Sequence, residues 1–321
     1  MRLSEIAELL IHAEECVALS STRSPNFFIV GAPKCGTTAM HDYLSQHPDV
    51  FMPSAKEHNH FATDLIPQSD PYASREHYLA LFRDASHEIR VGETSVFHLY
   101  SRVAAQGIHS FEPDARIVVM LRDPLQWIAS YHSQMLYNGD ENVSDLEAAL
   151  DAESDRRRGR RVPERLRFVQ RLFYSEVMGF SEQLERYFVE FGRGSVHVIL
   201  HDEFVRDPAG VLRDLLVFLE VDPEFEPQWR VSNPNKEVRS RLVSEFLRRP
   251  PAWVAEPVTR IFPEAWRRAA RVRLRRLNAT EKERTAMGVD LRRQLAVEFR
   301  PEVDRLQNLL GRSLSTWCDP S

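Results

Sequence analysis

Cysteine is scarce in this chain of 321 residues: Cys16, Cys35 and Cys318 are the 3 present, far apart and without a CxxC pair or a Cys/His ligand spacing. That argues against a disulfide framework and a structural zinc site, and the expected compartment is the reducing cytoplasm. Charge of one sign is not in marked excess. The 42 Lys and Arg are set against 47 Asp and Glu, a formal net charge of −5, so global charge gives no reason to expect a nucleic-acid partner. No apolar stretch approaches the roughly 20 residues that a membrane span requires. The opening segment does not read as a secretory signal. Glu5, Glu8, Glu14 and Glu15 interrupt its apolar positions, and no basic segment leads into an apolar core. Residues 1–24 are expected to form an amphipathic helix, a packing element or a homodimer contact, with a polar face too acidic for a membrane surface. Repeats, low-complexity tracts and Pro/Gly-rich linkers are also lacking, which favours one domain over residues 25–321.

What is present is an alternation. The apolar run Phe27-Phe28-Ile29-Val30 follows Ser24-Pro25-Asn26 and reads as a buried parallel strand. Thr38 to His47 reads as a helix closed by Pro48. Arg116 to Leu121 and Val196 to Leu200 read as two more such strands. Helices are expected after Pro124, with Trp127, Ile128, Tyr131 and Met135 on one face, and over Phe180–Phe191 and Pro208–Leu219. This order predicts an α/β fold, a central parallel sheet with helices on both faces. Asp155-Arg156-Arg157-Arg158-Gly159-Arg160-Arg161 is either a solvated loop or a helix end that meets an anionic acceptor. From about residue 265 the chain is expected to be helical and charge-laced to its end, with Arg267, Arg268, Arg271, Arg273, Arg275 and Arg276 mostly on a solvated face.

The most informative segment is Gly31-Ala32-Pro33-Lys34-Cys35-Gly36-Thr37-Thr38, between a buried strand and a helix. A turn in that place aims backbone N–H groups and a helix dipole at an anion. A nucleotide kinase loop reads GxxxxGK[ST]. Gly31 and Gly36 keep that separation, but Thr37 stands where the lysine belongs and the lysine is Lys34. A kinase lysine works with Mg²⁺ on a triphosphate. A lysine inside the loop could neutralise the bridging oxygen of a sulfuryl donor, which carries less charge, without a metal.

The loop resembles the 5′-phosphosulfate loop of sulfotransferases that use 3′-phosphoadenosine 5′-phosphosulfate (PAPS). The likeness continues in Ala115 to Pro124 followed by Trp127-Ile128-Ala129-Ser130-Tyr131, similar to the family's 3′-phosphate segment. There an arginine closes a strand and a serine eight residues later lies on the next helix, the spacing of Arg122 and Ser130. Asn233 to Arg241 resembles the family's basic loop over the nucleotide, with Lys236 and Arg239 as candidates for the 3′-phosphate. The likeness runs from residue 25 to about 312, in the branch that includes bacterial and heparan-sulfate-type enzymes.

The resemblance implies a P-loop-like three-layer α/β/α fold with the donor at the carboxyl ends of the strands. It implies Lys34 at the bridging oxygen and leaving phosphate, and Cys35, Gly36, Thr37 and Thr38 around the 5′-phosphate. It also implies adenosine 3′,5′-bisphosphate as product and no metal. Met52 to Phe61 resembles the Lys-Glu-x-x-Phe-Phe region of carbohydrate sulfotransferases, which makes Glu57 the base. His60 replaces the first aromatic, so His58 and His60 stay as rivals, and Lys56 is placed to aid charge balance. Glu93 of Gly92-Glu93-Thr94-Ser95 orients the acceptor, supports Lys34 or is structural. Cys35 has no base beside it that would make it a nucleophile. Two other readings are a P-loop kinase or ATPase, which wants a lysine after Gly36, and a PAPS-binding module without turnover. The acceptor, whether small molecule, carbohydrate or carrier-held, is expected among loops near 60–75, 95–110 and 135–170.

Overall fold

The computed structural model describes residues 23–164, 166–229, 236–238, 279–281 and 287–319. The helix expected at the N-terminus, Arg239 and the arginines of 267–276 lie outside the described residues. In chain order the elements are β1 (Phe27–Gly31), α1 (Thr37–Leu44), β2 (Val50–Phe51), α2 (Arg75–Leu79), β3 (Arg90–Thr94), α3 (Ala104–Phe111), β4 (Arg116–Leu121), α4 (Pro124–Asn138), α5 (Leu146–Asp151), α6 (Glu153–Arg157), α7 (Tyr174–Val177) and α8 (Phe180–Phe191). Then follow β5 (Val196–Leu200), α9 (His201–Arg206), α10 (Pro208–Phe218), β6 (Lys236–Val238), β7 (Ala279–Glu281) and α11 (Val289–Leu310).

The central sheet has 5 strands in the order β2-β3-β1-β4-β5, and every pairing in it is parallel. β1 is buried along its whole length and β4 at every position after Arg116. Continuous apolar runs can occupy these places because helices cover both faces of the sheet. The fold is thus the three-layer α/β/α arrangement that the alternation predicts. β1 lies at the centre, so the loops leaving β1, β3 and β4 meet above adjacent strand ends.

The differences from expectation have local causes. α1 stops at Leu44 rather than His47. Gln46 and His47 make tight turns onto Tyr43 and Leu44 instead (3.2 and 3.1 Å), and Pro48 bars the residue before it from helical conformation. The charged stretch at 155–161 is neither a plain loop nor a free helix end. Arg156 is fully buried, its guanidinium 2.8 Å from the Glu141 carboxylate. Glu141 also accepts from Tyr174 Oη and from the Asn142 and Val143 amides, each at 2.8 Å. Arg157, Arg158, Arg160 and Arg161 keep the exposed positions.

The chain is not helical throughout from 265. β7 pairs antiparallel with β6, a separate two-stranded sheet, so Lys236 sits on a strand rather than in a loop. Such a pairing joins segments distant in sequence, and a local charge pattern gives no sign of it. α11 ends at Gly311 (φ 65°), a left-handed position that glycine occupies without strain. It packs against α8 and α4. The Ser181 amide and hydroxyl both donate to Glu302 (2.6 and 2.9 Å). Beyond α11, Trp317 and Cys318 are buried, and the Cys318 amide donates to Asp123 Oδ1 at 3.2 Å. No helix among the described residues is long and apolar enough to cross a membrane.

Candidate active site

The turn from β1 into α1 is built for close approach. At Gly31 a Cβ would lie 2.6 Å from Leu99 Cβ and 2.9 Å from the Val96 carbonyl. Only glycine lets the segment after β3 cross the strand end, where the Ser95 and Leu99 amides donate to Ile29 and Val30 (3.1 and 2.8 Å). Lys34 (φ 64°) and Gly36 (φ 97°) both adopt left-handed conformations. At Gly36 a Cβ would stand 3.2 Å from the Phe204 ring and 3.3 Å from Met120 Cε. Backbone turned in this way presents its N–H groups to one concave side, an arrangement that suits an anion. α1 starts immediately after. No side chain caps its N-terminus and no acid occupies its first turn, so the helix itself places no anion at the positive end of its dipole.

One face of α4 braces this turn. The buried Trp127 donates its indole N–H to the Pro33 carbonyl at 2.7 Å. Two turns further on, Gln134 Oε1 accepts from Lys34 Nζ at 3.0 Å. Ser130, 2% exposed, lies between them on the same face by helical spacing. Arg122 leaves the end of β4 and donates to the Lys34 carbonyl (3.3 Å) and to Gln126 (3.2 Å). β6 runs beside α4, which puts the Lys236 position next to the helix that carries Ser130. Cys35 Sγ lies 3.5 Å from the Pro33 carbonyl. Burial pushes its thiol up to about 12, so it stays protonated and inert as a nucleophile.

The segment at 56–60 crosses over the end of β3, opposite the turn. Lys56 Nζ donates to Thr38 Oγ1 at 2.6 Å, so a second ammonium reaches the start of α1. Burial lowers its pKa, against the pull of Glu57 and Asp42. Glu57 is half-buried. Its amide donates to the Thr94 carbonyl (2.9 Å) and its Oε2 accepts the Val96 amide (3.2 Å). Burial raises the Glu57 carboxyl above the usual glutamate value; the Val96 amide and Lys56 oppose that, and Glu93 adds to it.

The two rival histidines are engaged differently. His60 Nδ1 donates to the Tyr72 carbonyl at 2.6 Å, and its ring stacks on Tyr78 at 4.1 Å. His58 is 2% exposed with its ring edge-on to Tyr72 at 4.3 Å. Burial lowers both imidazoles. His41, on α1, meets Thr94 Oγ1 at 3.0 Å; burial, and then Lys56, bring it down to about 4.

Lys34, Cys35, Gly36, Thr37, Thr38, Arg122, Ser130 and Glu57 therefore gather above the ends of β1, β3 and β4. Glu93, fully buried, turns inward to Ser95 and His98. Sequence reasoning did not find Trp127 and Gln134 as partners of the turn. The signal was there: positions 127, 130 and 134 repeat at helical spacing on one face. Among the described residues no group of His, Cys, Asp and Glu is arranged to hold a metal ion.

A model described as the sulfotransferase family matches residues 25–227. Human carbohydrate sulfotransferase 15 is 30% identical over 161 residues, which cover 37% of this chain and 28% of that protein. The human bifunctional heparan sulfate N-deacetylase/N-sulfotransferase 3 is 26% identical over 208 residues, 63% of this chain and 23% of that protein. The chain thus spans about a quarter of the length of these curated relatives. The solved structure of a sulfotransferase from Alicyclobacillus acidocaldarius superposes with a TM-score of 0.69 at 30% identity, covering 92% of this chain and 100% of that one.

Proposed function

The chain belongs to the sulfotransferase family, and from that membership we propose that it transfers a sulfuryl group from PAPS to a hydroxyl or amine of its acceptor. The observation that carries this reading is the meeting of the Lys34 turn, Arg122 and Glu57 above three adjacent parallel strand ends. The residues fit the donor. The left-handed turn and the uncapped start of α1 offer backbone donors to a 5′-phosphate, joined by the Thr37 and Thr38 hydroxyls. Arg122 and Ser130 supply the 3′-phosphate contacts, with Lys236 and Arg239 assigned to the same phosphate from the sequence alone; a charge-assisted pair suits a phosphate held from two sides. The Cys35 and Gly36 amides belong to the first set.

When bound, PAPS supplies an activated sulfuryl group whose sulfur–oxygen bond to the 5′-phosphate breaks as the acceptor oxygen or nitrogen bonds to sulfur. Lys34 is the group that meets the electron pair left on the bridging oxygen, and Gln134 holds its ammonium in line for that task. Glu57 takes the proton from the acceptor; a carboxyl raised by burial is a better base than an ordinary glutamate. Lys56, at the Thr38 hydroxyl, adds positive charge beside the transferring group. No residue in this scheme requires a metal.

The names of the curated relatives support a carbohydrate acceptor, with a small molecule or a carrier-held group as the other acceptors of the same chemistry.

The test is calorimetric titration with adenosine 3′,5′-bisphosphate, using adenosine 5′-monophosphate as control and no metal. Tight binding that needs the 3′-phosphate, weakened in Arg122→Ala by roughly 10- to 100-fold for a lost charge-assisted contact, is the expected result. Lys34→Ala should cut turnover roughly 100-fold or more, the scale of losing one preorganised electrostatic group. Binding of ATP with Mg²⁺ alone would sink the reading and restore the kinase alternative.

A further inference from the structure

Beneath the segment that carries Glu57 lies a set of buried polar groups that the proposed reaction does not use. Glu93 is fully buried near the end of β3. Ser95 Oγ donates to its Oε1 at 2.5 Å, and His98 Nδ1 stands 3.4 Å from its Oε2. His98 Nε2 accepts the Phe61 amide at 3.3 Å, so the ring proton belongs on Nδ1, toward the carboxylate. Burial acts to raise the Glu93 carboxyl, but the His98 ring and the Ser95 hydroxyl outweigh it and hold the group below the usual value.

The stretch 94–98, through one carbonyl and the Ser95 and His98 side chains, pins the Glu57 segment from below. The Glu57 amide is held by the Thr94 carbonyl (2.9 Å), the Asn59 amide by Ser95 Oγ (2.9 Å) and the Phe61 amide by His98 (3.3 Å). Every second residue from 57 to 61 is therefore tied to the stretch 94–98. Glu57 (φ 66°) and Asn59 (φ 58°) are both left-handed, a conformation that a glutamate keeps only where its surroundings hold it. Ser95 makes the link continuous, because one hydroxyl accepts from Asn59 and donates to Glu93.

We propose that Glu93, with Ser95 and His98, is the positioning set for the base: it locks the Glu57 segment in its left-handed turn. This rests on the reading of Glu57 as the base. Lys56 and Arg171 also face Glu57, and both stabilise its ionised form. Arg167 donates to the Glu57 carbonyl at 3.2 Å and is paired with Asp70 at 2.6 Å. Glu93 itself is faced by His58, Tyr78 and His41 as well as His98.

The experiment follows amide exchange in the full chain and release of adenosine 3′,5′-bisphosphate from PAPS with methyl β-glucopyranoside as acceptor probe. Glu93→Gln should lower kcat roughly tenfold or more with KM for PAPS within about twofold, as expected when the base is misplaced and the donor site is left intact. Ser95→Ala should do the same and speed exchange of the Asn59 amide roughly tenfold or more, since the amide loses its partner. Wild-type kcat in a Glu93→Gln protein with native near-ultraviolet dichroism overturns the proposal. If Glu93→Gln does not fold, Ser95→Ala decides, and wild-type exchange of the Asn59 amide overturns it. The base reading fails separately. Glu57→Gln that releases adenosine 3′,5′-bisphosphate from PAPS at the wild-type rate with the same sugar hydroxyl as acceptor would remove Glu57 as base whatever the other variants show.

Discussion

Trp127→Phe tests how far the phosphate turn depends on the helix behind it. The indole is fully buried, stacks on Tyr131 at 4.7 Å and donates to the Pro33 carbonyl at 2.7 Å. Phenylalanine keeps an apolar ring but removes the strong donor, so the buried carbonyl is left with only the weak Cys35 thiol at 3.5 Å. That costs about 1–3 kcal/mol. The void left by the second ring adds about 1 kcal/mol, for a total of about 2–4 kcal/mol out of the 5–15 kcal/mol typical of a folded domain. Denaturant unfolding should show a lower midpoint with an unchanged slope. Part of the loss should also reach the donor site. Pro33 immediately precedes Lys34, whose left-handed backbone (φ 64°) is held partly by this contact. A loosened turn must be ordered again when the nucleotide binds. Affinity for adenosine 3′,5′-bisphosphate should therefore fall about tenfold, or ~1.4 kcal/mol, read by calorimetry beside the unfolding curve. A variant that loses the stability and keeps full affinity would refute the coupling.

Gly36→Ala puts a Cβ at a φ of 97° and 3.2 Å from the Phe204 ring; it should cost about 1–2 kcal/mol by denaturant unfolding and weaken nucleotide binding, and wild-type behaviour in both would contradict the turn's geometry. Glu57→Gln should raise the melting temperature at pH 8 but not at pH 4. The folded carboxyl sits above its ordinary value of 4.5, so ionising it costs stability only once pH exceeds that value, and glutamine removes the cost; a lower melting temperature at pH 8 would reverse the sign of the argument. Glu141→Gln strips the buried Arg156 guanidinium of its carboxylate and should cost about 3–5 kcal/mol. Arg156→Met leaves Glu141 with Tyr174 and two amides at 2.8 Å, so it should cost less, and the opposite order in unfolding curves would contradict the buried-charge account.

The central strands were legible because burial on both faces demands unbroken apolar runs, and Phe27–Gly31, Arg116–Leu121 and Val196–Leu200 supply them. The phosphate turn was legible because lysine and glycine at fixed spacing between a strand and a helix have few other uses. β2 has 2 residues, and β3 carries Gly92 and Glu93 within a run of 5, so neither has the pattern that marks a buried strand. The pairing of β6 with β7 is a long-range event. Arg156 looked like its exposed neighbours, and only the approach of Glu141 and Tyr174 in three dimensions sets it apart. The surroundings of Glu57 are equally nonlocal. Its sequence neighbours suggest an ion pair with Lys56, whereas Lys56 donates to Thr38 and the Glu57 carboxylate meets the Val96 amide.

Asp123 gives the domain an order of assembly. Its Oδ1 accepts the Leu125 amide at 3.1 Å, which caps α4, and the Cys318 amide at 3.2 Å, from a position 195 residues further along. A ribosome adding about 5–20 residues per second separates those two partners by roughly 10–40 s. During that interval β1 and β4 can pair and α4 can begin on its local cap alone. Arg122, the residue before the cap, then precedes a helix start that still lacks one of its two tethers. The nascent domain can thus hold its sheet well before its nucleotide-facing edge is complete. The second tether of that cap forms only after the segment around Cys318 has emerged and docked.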